Sequence, residues 1–320
     1  MAGGLRPAAA EGGRRMNAPS DSGDRFLPSV DRLEVEMKAG RRALEAGEFD
    51  EALRRFTAAL RLKPEYDAAW LGRGHVLRNL ADTDGAIDAY ARALKVRPES
   101  EEAWMGLAAA LRGAGRVKEE VAAYDALLKV RPDLLEAWIN RGAALHELRD
   151  FRGAVACYDR VLGMRPEHAT AWNNRGAALL RLGDEDGAER CFAEALHFGP
   201  DSYDAMVNRV FLVQRKGRPG EAALWAGRAL RVRESAPLWA AKGLAHLVLL
   251  ESTLAIQAFD RALDLDRDLK EARAGLRKAK ALRQRTDFYR GVYECFGTHL
   301  AGDPGCAECE ILAKCREVSP

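Results

Sequence analysis

The chain has 320 residues, with 50 Lys and Arg against 48 Asp and Glu, a formal net charge of +2. That near-balance gives no global pull toward nucleic acid or an anionic membrane. No apolar run approaches the roughly 20 residues that a membrane-spanning helix needs. The first fifteen residues carry Arg6 and small residues but no apolar core, which argues against a secretory signal and for a cytoplasmic location.

In chain order, residues 1–30 are mostly Gly, Ala, Pro, Ser and charged residues, with Phe26, Leu27 and Val30 among the few large apolar groups. Such a stretch cannot bury enough surface to offset its ordering entropy and is expected to be a disordered leader. Met16 is a second candidate start.

A strict beat follows. Trp70, Trp104, Trp138 and Trp172 are spaced by 34 residues, as are Pro64, Pro98, Pro132, Pro166 and Pro200. Met206 continues the tryptophan series, and Trp239 arrives one residue early. A fixed period of this length marks stacked helical repeats, here near 33–66, 67–100, 101–134, 135–168, 169–202, 203–235 and 236–268. Counting from Asp67, small residues fall at slots eight, twenty and twenty-seven (Gly74, Ala86, Ala93), with aromatics at four and twenty-four (Trp70, Tyr90). Small residues let two helices approach, and the aromatics fill the space between them. Gly47, Gly115, Gly183 and Gly217 at slot fifteen suit a helix end in left-handed geometry. The proline at slot thirty-two stops the second helix. The repeat from Leu33 has Glu36 where the tryptophan should stand, and the last two lack the terminal proline.

This joint pattern resembles the tetratricopeptide repeat family over about residues 33–268. The resemblance implies an all-α fold: a right-handed superhelical solenoid of about seven helix-turn-helix repeats. It also implies a concave groove, lined by each first helix, that binds a peptide or partner protein. Slots two, five, six, nine, twelve and thirteen would face that groove. Slot six reads Gly72, Gly106, Asn140, Asn174 and Asn208. A carboxamide carries two donors and two acceptor lone pairs, so three in register could hold a peptide backbone; equally, they could only solvate the groove. The family's clamp of lysine, asparagine and arginine on a C-terminal carboxylate is not matched, because Thr170, Asn174, Asp204 and Asn208 stand where bases are required. Arg78, Arg112, Arg181 and Arg215 are expected toward one rim, and Glu102, Glu136 and Asp204 toward the other. The cations at slot seven (Arg73, Arg141, Arg175, Arg209, Lys242) form either a phosphate stripe or part of the helix packing.

After the repeats, eight bases face three acids between Asp268 and Arg290, and Leu269, Ala272, Leu276 and Ala279 recur at helical spacing. This predicts a basic amphipathic capping helix over 269–290, with contact to nucleic acid or an acidic partner as the other reading. Residues 291–320 hold Cys295, Cys306, Cys309 and Cys315 among Gly297, Gly302, Pro304 and Gly305. Four thiolates suit Zn2+ or a [4Fe-4S] cluster, and His299 could replace one ligand; disulfides or free thiols are the alternatives. Cys157 and Cys191, one repeat apart, read as small core residues.

No nucleophile–base pair and no phosphate-binding glycine loop stands out, so no enzyme activity or small-molecule substrate is expected. Two function classes remain. One is a protein-interaction scaffold with a metal-stabilised tail. The other is a nucleic-acid-associated or redox-responsive adaptor using the basic helix and an iron–sulfur tail.

Overall fold

A computed structural model describes residues 29–298, with side chains described for 31–286. Every regular element among them is a helix: α1 (Ser29–Glu45), α2 (Phe49–Leu62), α3 (Asp67–Asn79), α4 (Thr83–Val96), α5 (Glu101–Gly113), α6 (Val117–Val130), α7 (Leu135–Glu147), α8 (Phe151–Met164), α9 (Ala169–Leu182), α10 (Glu185–Phe198), α11 (Tyr203–Arg215), α12 (Pro219–Val232), α13 (Ala236–Val248), α14 (Ser252–Leu265) and α15 (Lys270–Thr298). The 34-residue beat is therefore a helix pair per repeat, stacked as a helical solenoid. The chain divides into two compact units, residues 1–132 with α1–α6 and residues 133–320 with α7–α15.

Within each unit, a first helix packs on the second helix of its repeat, and that second helix packs on the first helix of the next. First helices also touch one another, α1 with α3 and α3 with α5 in one unit, α7 through α15 in the other. Second helices make no comparable contact among themselves. The row of first helices thus lies on the inner side of the bend in each unit.

The physical basis of the beat is visible in two recurring contacts. The indole N–H of Trp70 donates to the carbonyl of Pro64 at 2.8 Å, Trp104 to Pro98 at 2.8 Å, and Trp172 to Pro166 at 2.7 Å. The proline ends one repeat, and the tryptophan six residues later pins the turn into the next. Six residues before Trp239 stands Arg233 and not a proline, and the indole nitrogen of Trp239 is buried without a partner. The second contact is the slot-twenty-four ring. Tyr90 lies between Gly74 and Gly106, where an added Cβ would come within 2.7 and 2.5 Å of its Cε1. Phe56 sits in the same way between Gly40 and Gly72, and Phe259 between Gly243 and Gly275.

Gly275 places α15 in the register of a further first helix, because it occupies slot six counted from Lys270. Ala272 and Ala279, at slots three and ten, are fully buried. The helix then runs on to Thr298, so it includes Cys295. At the turns between paired helices, slot fifteen is left-handed in all seven repeats. Gly47, Gly115, Gly183 and Gly217 take that geometry, but so do Ala81, Arg149 and Leu250. Asp82, Asp150 and Asp184 cap the next helix by accepting from the N–H of Gly85, Gly153 and Gly187 at 2.8–3.0 Å.

Gly106→Ala is expected to destabilise the chain by about 1–3 kcal/mol through overpacking against Tyr90. Gly113→Ala, with nothing within 4 Å of the added Cβ, should be neutral or stabilising. Urea unfolding of both variants tests the clasp, and equal stabilities would refute it.

Candidate functional site

The inner row in residues 133–298 brings together amides that the slot count only partly foresaw. Asn174 on α9 and Asn208 on α11 do not bond to each other directly. Asn208 Nδ2 donates to Asn173 Oδ1 at 2.9 Å, and Asn173 Nδ2 donates to Asn174 Oδ1 at 3.3 Å. Asn173, at slot five, is 8 % exposed and ties the two repeats into one relay. The doubled asparagine after Trp172 was its only sequence signal. One end of the relay keeps the N–H groups of Asn174, and the other keeps the carbonyl oxygen of Asn208. Asn140 occupies slot six of α7 and is half-buried. Beyond the relay, slot nine presents Phe211 on α11 and Leu244 on α13, which are 45 % and 41 % exposed.

In residues 1–132 slot six is Lys38, Gly72 and Gly106, so that stretch of the row offers no amide there. Instead, His75 on α3 lies 3.7 Å from Glu102 on α5 and edge-on to the Tyr90 ring at 5.6 Å. Tyr90 Oη is buried without a partner, and burial pushes its pKa up to about 12. Arg78 is exposed at the end of α3, near enough for its charge to act on both His75 and Tyr90.

The other arginines expected at a rim are held by the protein. Arg112 Nε donates to Glu120 at 2.7 Å; Glu120 takes the usual alanine slot and is fully buried. Arg181 lies over the Phe151 ring at 5.1 Å, and Arg215 donates to Glu185 at 2.6 Å. The end of a first helix approaches the start of a second helix, in its own repeat or the preceding one, and the cation meets a partner there. Glu136 and Asp204 are exposed on α7 and α11.

The slot-seven cations pack rather than line a stripe. Arg73, Arg141, Arg175 and Lys242 lie over the slot-four rings Trp70, Trp138, Trp172 and Trp239 at 5.0–6.0 Å. Arg209 lies over Trp225 at 4.6 Å, with Arg228 at 4.6 Å as well. In that repeat the ring has moved to slot twenty-three, and Met206 at slot four is buried. Arg141 and Arg175 also donate to the Sγ of Cys157 and Cys191 at 3.0 Å, and Arg175 to Asp159 at 2.7 Å. Both thiols are buried and outside any disulfide, and burial raises the pKa of Cys191.

Among the described residues no group of three or more His, Cys, Asp or Glu is arranged to hold a metal, and no helix is long and apolar enough to cross a membrane. The side chains of Cys295, Cys306, Cys309, Cys315 and His299 lie outside the described residues.

Burial holds His75 below the usual imidazole value of 6.5, against the pull of Glu102. The unfolded chain therefore takes up a proton that the folded chain resists, and stability falls as pH drops through that value. Burial lowers His146 too, so its contribution has the same sign. Thermal unfolding between about pH 7.5 and 5.5 should show Tm falling with acid, with a shallower slope in His75→Gln. An unchanged slope would show that His75 does not contribute.

Comparison with known proteins agrees with this geometry. The tetratricopeptide repeat family model matches residues 37–80, 71–134 and 139–205. A tetratricopeptide repeat protein from Parabacteroides merdae ATCC 43184 is 19 % identical, with a TM-score of 0.58 over 78 % of this chain and 99 % of that one. The C-terminal part of a repeat-containing protein from Cytophaga hutchinsonii is 15 % identical, with a TM-score of 0.62 over 75 % and 99 %. YrrB, described as a TPR protein with an unusual peptide-binding site, is 19 % identical, with a TM-score of 0.51 over 57 % and 98 %. Comparison with curated proteins found no match. On its repeat pattern, its helix pairs and the family match, the chain belongs to the tetratricopeptide repeat family.

Proposed function

We propose that this protein is an interaction scaffold that grips an extended segment of a partner protein on the inner row of α7–α13. Proteins of this family generally act by binding protein or peptide partners. The observation that carries the finer reading is the relay of Asn174, Asn173 and Asn208. Its free N–H groups and its free carbonyl oxygen match what a peptide unit presents, one acceptor and one donor. Phe211 and Leu244 stand further along the row and offer an apolar contact for a bulky side chain of the bound segment. In the same unit, Asn140, Glu136, Arg181 and Arg215 contribute the polar surround of the groove; Arg78, Arg112 and Glu102 are the corresponding polar groups on the row of the other unit. Arg181 and Arg215 do so while engaged by the protein itself, which makes charge a secondary contribution. Amides and apolar surface suit a partner recognised by backbone and one or two apolar residues.

The test is selection from a displayed library of random linear peptides against the full chain. Enriched peptides should share an apolar anchor, and a variant with Asn140→Ala, Asn174→Ala and Asn208→Ala should lose at least about tenfold in affinity, given two or more lost hydrogen bonds. Unchanged affinity, with helical content intact, would overturn the reading.

The cysteine-rich end carries a second, independent part of the proposal, that Cys295, Cys306, Cys309 and Cys315 hold Zn2+ or a [4Fe-4S] cluster. It rests on their spacing and the glycine and proline between them. Protein purified without oxygen should contain about one zinc per chain, or be brown with iron and sulfide. Colourless, metal-free protein would refute this part and leave the groove reading untouched.

A further inference from the structure

The slot-seven cation is matched in one repeat and unmatched in the two that follow it. Arg175 has two acceptors. Its Nε donates at 2.7 Å to Asp159, slot twenty-five of the preceding repeat, and its Nη1 at 3.0 Å to the Sγ of Cys191, slot twenty-three of its own. For Arg209 the same two slots hold Ala193 and Trp225, and neither is an acceptor. Its Nε, the atom that in Arg175 reaches the carboxylate, is buried without a partner. For Lys242 the acid's slot holds Gly227, and a Cβ added there would lie 3.8 Å from the Nζ. Arg73 also buries an unpartnered Nε, but the second guanidinium at its ring, Arg92, is held by Asp88 at 2.8 Å.

A third unmatched cation stands beside these two. Arg209 and Arg228 each set the guanidinium carbon 4.6 Å from the centre of the Trp225 ring, so the two carbons are no more than twice that distance apart. Gly227, beside which the Nζ of Lys242 ends, directly precedes Arg228. Among the described residues no carboxylate pairs with any of the three, and no acceptor bonds their side chains. No acid stands three or four residues to either side of them, where a helix would bring one into reach. All three are half-buried, so each gives up part of its hydration while part stays open to solvent. A guanidinium lying over a ring keeps its N–H edge available to an oxyanion. Gly227 is not required by packing, since Lys242 Nζ is the one atom within 4 Å of an added Cβ, and glycine inside a helix is weaker there than alanine. What the glycine does is leave room at the ammonium group.

Charge and extent select the ligand. A phosphomonoester carries close to two negative charges and three strong acceptor oxygens near neutral pH, which three cations match better than they match the single charge of a carboxylate. A polyanion would need a track of cations that continues along the repeats. On one side Arg175 is committed to Asp159, and on the other slot seven counted from Lys270 is Leu276. The cluster is therefore the size of one phosphoryl group. It is also separate from the amide relay, because Arg209 lies about 100° round α11 from Asn208.

We propose that Arg209, Arg228 and Lys242 bind one phosphomonoester group, with Trp225 holding the two guanidinium groups in place and Gly227 leaving space at the Nζ of Lys242. The group is supplied either as free phosphate or as a phosphorylated side chain of a partner protein. The anion takes the place that the Asp159 carboxylate takes at Arg175.

The test is calorimetric titration of the full chain at constant ionic strength and about pH 8, where phosphate is a dianion. The probes are inorganic phosphate and a capped Gly-phosphoserine-Gly peptide, and one should bind saturably at one site per chain. Tighter binding of the peptide assigns the site to a phosphorylated partner; binding of phosphate as tight or tighter assigns it to the free ion. Gly227→Asp and Ala193→Asp each return a carboxylate to slot twenty-five, and Arg228→Gln removes one cation. Each should weaken binding by at least about tenfold, the effect of one lost charged hydrogen bond, with helical content intact by circular dichroism. Gly163→Asp adds the same charge on α8, which does not pack against α12, and should leave the affinity within about twofold. Absence of saturable binding, unchanged affinity in the three cluster variants, or an equal loss in Gly163→Asp would overturn the proposal. A short DNA oligonucleotide that binds more tightly than both probes would overturn it too, by showing a track and not a single site. None of these variants alters Asn140, Asn174 or Asn208, so the outcome is independent of the groove reading.

Discussion

The clasp of one aromatic ring between two glycines sets the helix spacing in the first, second and seventh repeats. Tyr90 fills the gap between α3, α4 and α5 because Gly74 and Gly106 leave no side chain in its way. The same geometry recurs at Phe56 and Phe259, so helix separation is set by ring thickness and not by interdigitating long side chains. A close approach of first helices follows, and it puts slot six near the inner surface. Where that slot is glycine the wall is smooth; where it is asparagine the wall carries amides.

Charge plays a smaller part in recognition than the count of arginines suggests. Arg112, Arg175 and Arg215 bond to carboxylates, and Arg73, Arg141 and Arg181 lie over rings. The exposed pairs among them, such as Arg215 with Glu185, contribute about 0–1 kcal/mol each to stability. Their larger effect is to engage cations that would otherwise attract anionic partners. What remains on the inner row of residues 133–298 is carboxamide and apolar surface with the exposed carboxylates of Glu136 and Asp204, which favours reading a backbone over binding an anion.

Much of the architecture was legible in the sequence. Trp and Pro share one beat because an indole N–H bonds a proline carbonyl six residues earlier, and both ends of that bond are conspicuous residue types. Slots three and ten were not legible, although Ala69, Ala103, Ala171 and Ala205 are fully buried. Alanine is common on any helix face, so a periodic alanine does not announce burial. The site was legible only in part. Asn174 and Asn208 were visible as a column, but Asn173, which connects them, sits one slot off it. The move of a ring from Met206's slot to Trp225 was also hidden, since nothing local says which helix supplies the aromatic.

The sequence by itself determined the period, the helix pairs, the turns and the family, because those depend on local geometry that a 34-residue pattern records directly. Only the tertiary structure decided which polar groups are occupied and which are left for a partner. Arg215 meets Glu185, and Asn208 meets Asn173, across a repeat-to-repeat separation of about one period. Such pairs depend on how neighbouring helices are set against one another, and a slot number does not contain that angle.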